Sequence, residues 1–190
     1  MSPELPATAC ESRRWDVIFY EKTAVSDDNQ WGRPIEDGDV ELCQKWALAD
    51  RKDYKRAVAF AVILIQEQKY KQAFKFLTDS IGLITTDSQR LYLQKLAALA
   101  AGKVFASDSS DENFHVAVNA HETLLEAGDK TGHAGLVILF GSKGRNKERA
   151  LSEMLEGIKK SDIGTLIIAE KVFLTGKVNL NEGTEKIIEP

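Results

Sequence analysis

His121-Glu122-Thr-Leu-Leu125 opens as the zinc helix His-Glu-x-x-His does, in which two imidazoles one turn apart share a metal while the glutamate activates its water. The second ligand position is Leu125, so the ion would have no pair of imidazoles, and His121 is expected on a helix surface. His115 and His133 stand at no ligand spacing to it and there is no Cys-x-x-Cys, so neither a metal nor any other cofactor is expected. Gly141-Ser-Lys-Gly-Arg-Asn146, after the apolar run Leu136 to Phe140, is a sharper signal. Taken as strand, glycine-rich turn and helix, its free amides with Lys143 and Arg145 would cradle a phosphate, making the carboxyl-terminal part a nucleotide- or phosphate-binding α/β enzyme. Its spacing is neither Gly-x-x-x-x-Gly-Lys-Ser/Thr nor Gly-x-Gly-x-x-Gly. A turn between paired helices is the plainer reading, because Gly176 recurs in the same role. No serine stands in Gly-x-Ser-x-Gly, and the carboxylates of Asp108, Asp111 and Glu112 lie in a polar turn where water solvates them. No catalytic residue is assigned, and the chain is not expected to be an enzyme.

The remaining candidates are recognition residues. Tryptophan and tyrosine dominate binding hot spots because they bury a large rigid area at little entropic cost. Trp31-Gly-Arg33-Pro34 lies in a polar neighbourhood where nothing obvious buries it, so Trp31 reads equally as an interface residue or as a cap; Trp15 and Trp46 are expected to cover the apolar end of the first helix pair. Phe60, Tyr70, Phe74, Phe76, Tyr92 and Phe105 fall at helical spacing, which places them in a core.

The elements that would position these side chains follow from proline and apolar spacing. Pro3, Pro6 and Pro34 crowd the start and no proline follows until Pro190, so the body is free to form uninterrupted helix. Residues 1–36 are expected to form an extended or capping arm, and 37–190 a helical domain. Tyr70, Ala73, Leu77 and Ile81 step by 3, 4 and 4, and Ala117, Ala120, Leu124 and Ala127 by 3, 4 and 3; each set lines one helix face. Helices are predicted over 39–50, 54–67, 70–82, 88–105, 113–127, 133–141, 146–160, 163–175 and 181–188. Thr86-Asp-Ser-Gln89 reads as a capping box, and Asn146 and Asn181 as N-caps.

Composition limits the partners. The 190 residues carry 25 Lys+Arg against 29 Asp+Glu, a formal net charge of −4, so the long-range attraction that draws a protein to phosphate backbones is missing and nucleic acid is not expected. The longest apolar run, Ala57 to Ile65, is far shorter than the about 20 residues that span a bilayer. No membrane partner is expected. The amino terminus lacks a basic start and an apolar core segment, and with Cys10 and Cys43 taken as free thiols the chain is expected in the cytoplasm.

Overlaying residues 132–155 on 167–190 matches Ala134 with Ala169, Val137 with Val172, Leu139 with Leu174, Gly141 with Gly176 and Asn146 with Asn181. A period in the thirties is the mark of helix pairs stacked as an α-solenoid. Residues 57–80 resemble a tetratricopeptide repeat through Ala57, Phe60, Ala61 and Leu64 on a first helix and Tyr70, Ala73, Leu77 and Ser80 on a second. Residues 130–190 are similar to Sel1-like repeats through Gly132-His133-Ala134, Phe173-Leu-Thr-Gly176, Val178, Asn181 and Glu185-Lys186. The resemblance implies an all-α solenoid of antiparallel hairpins that acts as a scaffold or adaptor, a dedicated chaperone or a toxin-neutralising immunity protein. Its partner would be another protein or peptide, held on a concave face by Trp31, Arg33, Tyr54, Lys55, Gln89, Tyr92 and Lys171. Pro190 closes a short last helix, so the final hairpin is expected to be incomplete or to dock on another copy as a homo-oligomer.

Overall fold

Asp53 shows how the sequence starts its helices. Its Oδ1 accepts from the amides of Lys55 at 2.9 Å and Arg56 at 3.4 Å, and Oδ2 takes the Arg56 Nε at 3.2 Å. Two orphan amides of the first turn are thereby satisfied. Ser110 and Asn146 repeat the device, accepting from the amides of Asn113 and Arg149. The computed structural model describes residues 39–142 and 145–175. Among these are eight helices and no strand: α1 Asp39–Ala49, α2 Tyr54–Gln66, α3 Tyr70–Ile81, α4 Asp87–Ser107, α5 Asp111–Glu126, α6 Gly132–Gly141, α7 Lys147–Lys159 and α8 Ile163–Thr175. The described chain is all-α, as expected, with boundaries close to those predicted. The expectations placed on residues 1–36, Trp15, Trp31, Arg33, Lys143, Gly176, Asn181 and the helix 181–188 lie outside the described residues.

The helix predicted over 133–141 is present, and the rival strand reading is excluded. Leu136–Phe140 is inside α6, so the strand that a phosphate-binding α/β turn would need is helix. With Leu136, Val137 and Leu139 buried, the run is a core helix flanked by glycines, and a short continuous apolar run cannot be told from a buried strand by periodicity.

Three helices end alike. After α2, α5 and α7 the chain passes through a left-handed residue, Gln68 (φ 58°), Gly128 (φ 82°) and Ser161 (φ 55°). The next amide reaches back to a carbonyl five residues earlier: Lys69 to Leu64, Asp129 to Leu124 and Asp162 to Gly157, each at 2.8 Å. These are Schellman turns, which satisfy the orphan carbonyls of a helix end and reverse the chain so that the next helix packs on the last. Gly128 and Ser161 are separated by 33 residues, one of the two periods legible in the sequence.

The chain divides into two compact units at Ala100/Ala101, within α4. In the first, α2 is buried continuously from Ala57 to Leu64, packs against α1 and α3, and shares its core with Leu93, Leu96, Ala97 and Ala100 of α4. α3 is one-sided: Ala73, Phe76, Leu77 and Ser80 are buried while Lys71, Gln72, Lys75 and Asp79 face water. The Phe60 and Phe76 rings meet edge to face at 4.8 Å. Cys43, buried on α1, is disulfide-bonded rather than the expected free thiol. In the second unit α6 packs against α5 and α7, and α8 against α6 and α7. Small residues permit these approaches: a side chain at Gly132 would stand 2.6 Å from the His121 carbonyl, and one at Gly157 would overlap Thr165.

Candidate functional site

Four of the expected recognition residues come together in the first unit. Tyr54 and Lys55 open α2, where Asp53 caps them, and Gln89 and Tyr92 lie in the first turns of α4. The Tyr54 and Tyr92 rings meet edge to face at 6.0 Å and 70°, both half-buried against the core cluster. Lys55 is exposed and Gln89 half-buried. Around them stand Arg51, Lys52, Arg56 and Arg90; Arg51 faces Asp79 at 3.7 Å, and Arg90 pairs with Asp87. Residues 39–100 hold ten Lys/Arg against seven Asp/Glu, a balance of +3 within a chain of −4. Lys171 is exposed on α8, in the second unit.

The second unit holds a chain of charged groups that spacing did not single out. His133, on α6, is 4% exposed and Glu153, on α7, 6%. Glu153 Oε2 lies 2.7 Å from His133 Nδ1, and its Oε1 accepts from Arg149 Nε at 2.7 Å. Arg149 reaches on to Glu122 of α5 at 3.4 Å. On the other side of the ring, Lys160 Nζ lies 3.1 Å from His133 Nε2. An ammonium only donates, so Nε2 accepts; the ring proton is on Nδ1 and is donated to Glu153. The ring is thus held between a carboxylate and an amine. A signal for this existed: His133 is a polar residue within an otherwise apolar helix, and a buried polar group needs a partner. The identity of that partner, 20 residues away, had no sequence signature.

The turn from Gly141 to Asn146 does not present its described cation to a ligand. Arg145 donates to Asp111 Oδ1 at 2.7 Å and to the Ser109 carbonyl at 2.8 Å, and lies over the Phe114 and Phe105 rings at 4.6 and 5.3 Å. Its bond and charge hold the Asp111 carboxyl below the usual carboxylate range. Arg145 therefore ties the α4–α5 loop to the turn before α7.

No family model, curated protein or solved structure matches this chain.

His121 is also corrected. It is not a surface residue of α5: its ring is partly buried against Gly135 of α6, where a Cβ would overlap it, and Nδ1 is buried with no hydrogen-bond partner. Desolvation pushes its pKa down from 6.5 to about 4, so the ring is neutral at pH 7. Among the described residues no group of three or more His, Cys, Asp or Glu is placed to hold a metal ion, and no helix is long and apolar enough to cross a membrane.

Proposed function

We propose that this chain is a protein-binding adaptor built from tetratricopeptide- or Sel1-like helix pairs, and that it takes an acidic peptide segment of its partner at the Tyr54–Tyr92 patch. The observation that carries the reading is the meeting of the two tyrosines at the starts of α2 and α4, flanked by Lys55 and Gln89, in a unit whose residues 39–100 balance at +3. Amphipathic rings supply contact area and a polar tip, and a basic rim selects an acidic partner while adding little affinity of its own. The repeated Schellman turns and N-caps support a stacked-hairpin architecture, in which first helices supply the docking face.

The test compares the full chain with a Tyr54→Ala/Lys55→Glu variant of unchanged far-UV circular dichroism. Each is titrated with a fluorescent Asp/Glu-rich peptide and with its basic counterpart. The reading expects the acidic peptide alone to bind, with affinity lost at least about tenfold in the variant and falling with salt. Equal binding by the two chains, or no preference for the acidic peptide, removes it.

A further inference from the structure

Lys160, His133 and Glu153 stand in the order nucleophile, base and orienting carboxylate, at 3.1 and 2.7 Å. That is the arrangement by which proteins activate a side-chain nucleophile: a base within hydrogen-bond reach, fixed in tautomer and orientation by a third group. Here the third group is itself fixed, because Arg149 holds the other oxygen of Glu153. We propose that Lys160 is an acyl-accepting lysine, modified selectively by small acyl thioesters with His133 as the proton acceptor.

The chemistry follows from the positions of the protons. A thioester carbonyl is attacked by the free amine, and the nitrogen of the tetrahedral adduct then carries a positive charge. It must lose a proton before the thiolate departs, or the adduct reverts to the amine. His133 Nε2 lies 3.1 Å from that nitrogen, within reach to accept its proton, and the ring is buried from water. The N–C bond forms and the C–S bond breaks; ammonium and thioester become amide, thiol and one released proton. Nothing is oxidised or reduced. The lysine itself is exposed, so the acyl donor has access, and the neighbouring Lys159 provides an internal standard: it is also exposed but pairs with Glu156 at 2.7 Å rather than with an imidazole.

The groups facing the ring are Glu153 and Lys160, with Arg149, Glu156 and, through Arg149, Glu122 around them. Lys130 lies close by, donating to the carbonyls of Lys160 and Ser161. An imidazole protonated on both nitrogens has no acceptor to offer, so selectivity for Lys160 requires a ring with a free Nε2, whereas the slow background at Lys159 does not. This proposal is independent of the Tyr54–Tyr92 patch.

The experiment incubates the full-length chain with acetyl coenzyme A and measures acetylation of Lys160 and Lys159 by peptide mass spectrometry over a pH series. The expected result is at least a tenfold excess of rate at Lys160, collapsing to the Lys159 rate in His133→Gln and, in the unaltered chain, on the acid side. Equal rates at the two lysines overturn the proposal, as does selectivity that survives His133→Gln in a chain with unchanged circular dichroism. If that variant does not fold, the pH series on the unaltered chain decides: a Lys160/Lys159 ratio independent of pH overturns it.

Discussion

The imidazole of His121 has an energetic consequence for the fold. Its pKa falls from 6.5 unfolded to about 4 folded, so between these values the unfolded chain binds the extra proton. The stability it contributes is full above the unfolded value and is lost as pH falls toward 4, by up to about 3 kcal/mol. Asp111 and Glu156, both with lowered pKa, also lose stabilisation in acid, but from exposed positions. His121→Gln removes the imidazole alone. Urea denaturation at pH 7 and pH 4.5 is expected to show a markedly smaller acid loss for the variant; an equal loss in both chains would place the effect elsewhere. The spacing that excluded His121 from a zinc site was informative about chemistry and silent about burial, because the glycine that receives the ring, Gly135, is on another helix.

The helix pairs depend on their turns. Two of the three left-handed turn residues are not glycine, and a side chain in that region costs roughly 1–2 kcal/mol against a glycine penalty of about half that. Ser161→Gly and Gln68→Gly are therefore each expected to raise stability by up to about 1 kcal/mol, and Gly128→Ala to lower it by a similar amount, measured as shifts in denaturation midpoint. A destabilising Ser161→Gly would mean that its turn is held by its side chain rather than by the backbone bond from Asp162 to Gly157. These stops were only partly visible in advance. The N-cap Asn146 stands where the sequence put it, and the Thr86 carbonyl accepts from the Arg90 amide at the start of α4. Gln68 and Ser161 carry no such signal, since the backbone imposes their conformation. For α6 the helix was the favoured reading and a strand its rival, since a short apolar run suits either; the helix packs between α5 and α7.

Charge and redox state belong to the molecule as a unit. The overall −4 conceals the cationic balance of residues 39–100, which is why the composition that argues against nucleic acid is compatible with an acidic peptide partner. The disulfide at Cys43 bears on compartment, because lasting disulfides are rare in a reducing cytosol. Thiol labelling of chain purified without reductant, read by peptide mapping, is expected to find Cys43 blocked, and labelled after reduction. Cys43 labelled before reduction would instead support the cytosolic location. The sequence by itself determined the helices, their approximate limits and their buried faces, because apolar periodicity and caps act within a few residues along the chain. Only the tertiary structure decided that Tyr54 meets Tyr92, that His133 is held between Glu153 and Lys160, and that His121 lies against Gly135. Those contacts join residues on different helices, and no local pattern encodes which faces will meet.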